Sequence, residues 1–375
     1  MYRITATYDG NDTVIHGRLD PNARVSGAVL KEAVNVIPTF SFTIYPNNPG
    51  YEMMQDMLTG ISVRDCRTGE TIFKGRVYSV SDMMDATGQI YKNVTCEGEL
   101  SYLCDTIQPP KVYTSQPTSL STALSAILSA HNTRVGSSSG KRIQAGNITG
   151  GFEPYETDYT DTFSLVKDIC ELAGNEFALR YDNGIRYLDS KPSLGVLSDT
   201  VIKFGDNLRS LQRAVETKDI VTRLYPLGAV SPNDGRRLTL SEIQPFVTNP
   251  DSDIVHKYGV AEAVKIYDNI VPEDWSATSS INAARDRLYA AALHDLKKMN
   301  TVFVSFSIEA LDLSLINGDY DSLRIYNTYR VRTKLQGIDE EVRLTGRTLE
   351  LDNPQNPMLT FGQKQTTLTS MIAGQ

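Results

Sequence analysis

The sequence has little of what metal, redox and membrane proteins depend on. Four cysteines, Cys66, Cys96, Cys104 and Cys170, are spread over 375 residues with no CxxC pair, which excludes a disulfide scaffold. They are expected to be reduced and packed. The four histidines, His16, His131, His256 and His294, share no metal-ligand spacing such as HExxH, so zinc catalysis has no ligand set. No apolar run approaches the roughly 18 residues of a membrane-crossing helix. The opening MYRITATYDGNDTV alternates like a strand and lacks the basic flank and apolar core of a signal peptide. Folding in a cytoplasm is expected, with no membrane anchor. Positive charge is also short: 37 Lys and Arg stand against 45 Asp and Glu, a net charge of −8. That argues against broad binding of nucleic acid or anionic membrane, and for partners met through shape and hydrogen bonds.

What is present is an ordinary globular composition, 40% hydrophobic and 22% charged, long enough for two or three domains with sizeable cores. The first 108 residues read as β structure. VNVIPTFSFTIYP (34–46) alternates and stops at Pro46, YEMMQDML (51–58) suits a short helix, and three strands follow in a meander whose turns carry Gly69 and Gly88. After residue 108 the pattern changes. PTSLSTALSAILSAHN (117–132) puts Leu120, Ala123, Leu124, Ile127 and Leu128 on one helical face, and TDTFSLVKDICELAGN (160–175) is a second helix stopped at Gly174. EFALRYDNGIRYLDS is a hairpin turned at Asp182, Asn183 and Gly184. β texture returns from Thr200, interrupted by one long helix over 276–299 with Ile281, Ala284, Leu288, Ala292 and Leu296 in a stripe. Inside this region DIVTRLYPLGAV (219–230) puts Pro226 and Gly228 on a strand, which predicts that Tyr225 to Gly228 lie at a sheet margin. KGRVYSV (74–80) and TGRTLEL (345–351) echo each other faintly, both entered through Gly-Arg.

Chemistry-bearing motifs resolve into bland readings. GSSSG (136–140) matches GxSxG with Ser138 as nucleophile, but a helix precedes it where the strained elbow needs a strand, so it reads as a loop. It also fails as a P-loop, with three residues between its glycines. Glu153, Glu156 and Asp158, and the run Asp339, Glu340 and Glu341, read as solvated acids. His131 and His294, near helix ends, read as solvated or dipole-facing groups. The 19 tyrosines beside the single Trp275 read mostly as packing. No catalytic, cofactor-binding or metal-binding residue is assigned, and no cofactor is expected.

The order of unusual segments carries more than any one of them. FSFTIYPNNPGY, IFKGRVYSV, NVTCEGELSYLCDT, IKFGDNLRSL, DIVTRLYPLGA, RLTL, VHKYG and LDNPQNPMLTFGQ together resemble the phage minor structural protein, the tail-tip hub also called the tail-associated lysin or prophage endopeptidase tail protein. The resemblance implies a mainly β fold with α+β insertions, similar to the hub protein of contractile phage tails. Two β-barrel-like hub domains would span 1–108 and 201–235 with 306–365. Peripheral parts would be an α+β domain at 109–200 and an insertion with the long helix at 236–305, with 366–375 as a tail. It implies a structural role in the virion tail tip after synthesis in the host cytoplasm. The chain would form a homotrimeric ring that continues or closes the tail channel and docks on the distal tail protein. The tape-measure protein and passing DNA, bound without sequence specificity, would be further contacts. Many members continue into a peptidoglycan-cutting or receptor-binding region, which would lie beyond Gln375. The rival readings are a peptidoglycan hydrolase or endopeptidase, and a module binding host-receptor carbohydrate.

Overall fold

In a computed structural model of the chain, the structure describes residues 2–113, 117–137, 139–152, 155–216, 221–250, 252, 255–256, 259–299, 303–315, 322–333 and 338–362. The fold is mainly β with α+β insertions, as the sequence pattern implied. By contact density it divides into one unit of residues 1–212 with 306–362 and another that contains 213–305.

The first unit is built on a sheet of 13 strands. Seven come from the N-terminal region: β1 (Tyr2–Tyr8), β2 (Asn11–His16), β3 (Ser26–Ala33), β4 (Thr39–Ile44), β5 (Gly60–Asp65), β6 (Thr71–Met84) and β7 (Ile90–Gly98). They lie in the order β3-β4-β7-β6-β5-β1-β2. The meander β5-β6-β7 is as the sequence suggested, and its turns hold Gly69 and Gly88 at φ 73° and 84°. The expected helix at 51–58 is a single tight turn, Tyr51–Met53. Period-2 alternation puts Ile4, Ala6, Phe40, Phe42, Ile44, Ile61 and Val63 on the core face.

Beyond β3 the sheet continues into the C-terminal region. The strand Ile338–Glu350 pairs antiparallel with β3 in the register Arg347 opposite Glu32 and Leu349 opposite Leu30. Leu349 and Leu351 thereby join the N-terminal core. Met358–Gly362 and Thr328–Thr333 also pair with Ile338–Glu350. The N- and C-terminal β regions, expected as separate domains, are thus strands of one sheet.

The α+β part packs α1 (Leu120–Val135) and α2 (Thr162–Leu172) on the hairpin Glu176–Asp182 and Ile185–Lys191, which Gln144–Ile148 extends in parallel. The predicted helical face is the buried one, from Leu120 through Leu128. Asp161 caps α2 by accepting the Ser164 N–H at 2.9 Å. At its other end Gly174, at φ 70°, lets Asn175 N–H reach the Cys170 carbonyl and Gly174 N–H reach that of Glu171. The hairpin turns where predicted, with Asn183 and Gly184 both at positive φ.

The second unit corrects one expectation and refines another. Residues 201–235 are expected in the second β domain, but of these 221–235 fold with the long helix α3 (Thr278–Met299), whereas Leu208–Glu216 is a strand of the 13-stranded sheet. Arg223–Gly228 is the middle strand of a three-stranded sheet, parallel to Glu262–Tyr267 and antiparallel to Val247–Thr248. Its Leu224 packs into one core with Ala284, Leu288, Ala292 and Leu296 of α3, which is why the segment belongs here. Although the strand is the middle one by order, Tyr225–Gly228 pairs with a strand on one side only, Glu262–Tyr267, so the expected margin is kept on the side of Val247–Thr248. Pro226 is tolerated because pairing with Val247–Thr248 ends at Leu224, and the next bond on that side is Gly228 N–H to the Leu238 carbonyl at 2.8 Å. The missing proline N–H falls in the gap. The expected tail at 366–375 lies outside the described residues.

Candidate functional site

The residues singled out as potential chemistry do not converge. Ser138, Glu153 and the side chain of His294 lie outside the described residues. Asp339 is an exposed partner of Arg330 and Arg332 on neighbouring strand positions. No group of three or more His, Cys, Asp or Glu among the described residues could hold a metal ion. Cys96 and Cys170 are buried, whereas Cys66 and Cys104 are exposed, which corrects the expectation that all four are packed.

His131 is the other correction. It is fully buried, at the centre of a polar network rather than in solvent. Its Nε2 lies 3.2 Å from the Lys141 carbonyl, which can only accept. Nε2 therefore carries the proton, and Nδ1 accepts from the Thr106 hydroxyl at 2.7 Å. Thr106 in turn contacts Thr162 at 2.8 Å, and Gln108 donates to Thr162 at 2.8 Å. Burial lowers the His131 pKa and keeps the ring neutral. The network ties α1, α2 and the segment entering them, and its lone pairs are spent on structure.

Among the described residues of the first unit, two of the places where charge is withdrawn from solvent rest on the Gly-Arg segments noted in the sequence; the Glu176–Arg343 pair is another. Arg76, 4% exposed, sits on β6 directly opposite Glu97 of β7. Its Nε donates to Glu97 at 2.7 Å, and its two Nη atoms donate to Asp105 at 2.7 and 2.8 Å. Lys141 also donates to Asp105, at 2.7 Å. Burial alone would lower the Arg76 pKa, but bonds to Asp105 and Glu97 reverse this and hold it above its ordinary value. Burial alone would raise that of Asp105, and Arg76 and Lys141 reverse this in turn, holding it down. The Tyr102 ring lies between Arg76, 5.3 Å away, and Arg186, 5.4 Å away, and burial pushes its hydroxyl up to about 12. Arg186 forks onto Glu99 at 2.6 and 2.5 Å. This chain of charges fastens the α+β part to the sheet.

The second place repeats the motif. Arg347 stands opposite Glu32 across the β3 pairing and donates to it at 2.9 and 2.5 Å, with a further bond to the Leu323 carbonyl at 2.8 Å. Between the two places lies a cavity of about 680 Å³ lined by Glu32, Lys74, Glu99, Leu179, Tyr181 and Tyr326. Its acids Glu32, Glu70 and Glu99 are paired with Arg347, Arg324 and Arg186, so they offer no free carboxylate pair for acid-base work. What these residues do is join strands and domains.

Comparison with known proteins agrees with that reading of the fold. Residues 197–372 match the family model described as prophage endopeptidase tail. The chain is similar to phage tail proteins in family model and in fold. The family resemblance read from the sequence is thereby borne out. A tail protein from Neisseria meningitidis MC58 superposes with a TM-score of 0.58 at 11% identity, covering 97% of each chain. The 43 kDa tail protein of prophage MuSo2 from Shewanella oneidensis gives 0.58 at 10% identity, covering 96% of each. Prophage tail protein gp18 from Listeria monocytogenes EGD-e gives 0.57 at 14% identity, covering 99% of this chain and 98% of that one. No curated protein sequence matches. At these identities the likeness is one of fold. No helix among the described residues is long and apolar enough to cross a membrane.

The buried joints left a partial trace in sequence. The Gly-Arg echo at 75–76 and 346–347 was visible, but its glutamate partners Glu97 and Glu32 had no marking pattern, because cross-strand register is set by non-local pairing.

Proposed function

We propose that the chain is a structural subunit of a phage or prophage tail tip. Three copies would form a ring that continues or closes the tail channel and docks on the distal tail protein. The observation that carries this reading is the repeated joint within one sheet. Gly75-Arg76 and Gly346-Arg347 set a buried and a half-buried arginine, respectively, opposite a glutamate of the neighbouring antiparallel strand. In the proposed ring the N- and C-terminal strand sets joined in this sheet would supply two barrel-like parts, which lets three chains meet a sixfold tube. The fold likeness to prophage tail proteins supports the same conclusion. On this reading the net charge of −8 favours passage of DNA without holding it. The chain has no catalytic role in the proposal.

Reconstruction of tail particles is the direct test, with three copies of the chain expected at the tip around an axis wide enough for duplex DNA. A purified chain that cleared cell walls in a zymogram, with clearing abolished by a single Glu or Ser substitution, would replace this reading with the hydrolase one.

A further inference from the structure

β6 and β7 outrun their neighbours. β5 accompanies β6 only as far as Arg76, and β4 accompanies β7 only from Lys92 onward. Past those points the two strands pair alone, Met83 with Tyr91 and Met84 with Ile90. The arm is closed by a tight turn in which Asp85 accepts the Thr87 and Gln89 N–H groups at 2.8 and 3.1 Å, so it is preformed. Its tip is apolar and uncovered: Met84 is 71% exposed and Ile90, its cross-strand partner, 51%. Asp82, two residues from Met84, projects on the same face. It has no ion pair or hydrogen bond among the described residues.

The same unit carries a matching concavity. Tyr2, Val14, Leu19, Pro49 and Cys66 bound a cleft of about 560 Å³ with Arg3 and Arg18 at its rim. Two acids also line it, Asp12, which accepts the Thr7 hydroxyl at 2.6 Å, and Asp20, which accepts the Asn22 N–H at 2.8 Å; these bonds do not cancel their charge, so the cation for a docked carboxylate is supplied locally by Arg3 and Arg18. Arg3 and Arg18 have no partner among the described residues. Leu19 is fully exposed.

The arm cannot fill its own cleft. Tyr2 pairs with Asp65 at one end of β5, and Thr7 pairs with Gly60, which pairs with Arg76, at the other. From Arg76 the arm runs on past that second end, and Val77 to Met84 carry it about 25 Å further from the Tyr2 end. Tip and cleft therefore sit toward opposite ends of one sheet, the arrangement of a head-to-tail contact, which generates a ring when its rotation closes.

We propose that the β6–β7 arm of one copy docks in the Val14–Leu19 cleft of a second copy, with Met84 and Ile90 in the cleft and Asp82 against Arg3 and Arg18. The proposal rests on the ring reading above and assigns it an interface. Cys66 in the cleft supplies a reporter. In a Cys104→Ser background, Met84→Cys with copper-phenanthroline as oxidant is expected to give a ladder of disulfide-linked species on a non-reducing gel. Adding Cys66→Ser is expected to abolish it. Independently, Met84→Asp with Ile90→Asp, at a solvent-facing tip that leaves the fold intact by circular dichroism, is expected to weaken self-association in sedimentation at least tenfold. An oligomer that neither cross-links nor responds to the tip substitutions overturns the docking but leaves the ring. A chain that stays monomeric and uncross-linked at the highest attainable concentration overturns both.

Discussion

The two Gly-Arg joints use one device in different surroundings. Arg76 and Arg347 each face a glutamate across an antiparallel pair. Around Arg76, however, a second carboxylate, Asp105, and through it Lys141 extend the joint into the α+β part. Arg347 serves Glu32 and one carbonyl. Their glycines differ more. A Cβ on Gly75 would stand 2.0 Å from the Glu97 carbonyl oxygen, whereas one on Gly346 would come no nearer than 3.5 Å to its neighbours. The same short sequence is therefore a requirement of close backbone approach at one joint and a permissive choice at the other.

That contrast can be broken in a definite order. Gly75→Ala should be the most damaging change, because the clash is with backbone that cannot rotate away; a loss above about 3 kcal/mol in urea unfolding is expected. Arg76→Met follows, since it strands Glu97 and leaves Asp105 with Lys141 as its remaining cation, at about 3 kcal/mol or more. Arg347→Met strands Glu32 alone and should fall at about 3 kcal/mol, and Glu32→Met added to it should recover part of that loss. Gly346→Ala should leave the unfolding midpoint nearly unmoved. Equal effects of the two glycine changes would refute the distinction.

Acidity separates the Arg76 joint from the histidine network beside it. Asp105 is held below its ordinary pKa in the folded chain, so its stabilisation is present above about pH 4 and fades as the pH falls further. The Arg347 joint has no counterpart to Asp105. His131 is also held below its ordinary value, so protonation favours the unfolded chain once the pH drops below about 6.5. A stability profile from pH 7 to 3 should therefore lose stability in two stages. His16 and Asp65 are shifted in the same directions, so His131→Gln should shrink the first stage and Arg76→Met the second without removing either.

Local rules carried much of the fold into view. Helical stripes located α1 and α3, and Asn183-Gly184 fixed a hairpin, because each signal is complete within a few residues. The failures are non-local. His131 follows an apolar helix face at a helix end, and only the arrival of Thr106 and the Lys141 carbonyl shows that it is buried. Pro226 signalled a strand exit, yet the second unit accommodates it inside a strand by leaving a gap in the pairing at that one amide. The joints were half legible: arginines with their glycines could be seen, whereas partners on distant strands could not.

The pairing of β3 with Ile338–Glu350 also sets a timetable for synthesis. Glu32 and Arg347 are 315 positions apart, so at roughly 5–20 residues per second a ribosome needs about 15 to 60 seconds between making one and the other. Throughout that interval β3 presents a bare edge on the nascent chain, open to pairing with any other extended segment. Correct folding of the N-terminal sheet is thus a matter of protection in time, settled by whatever shields β3 until its last neighbour emerges.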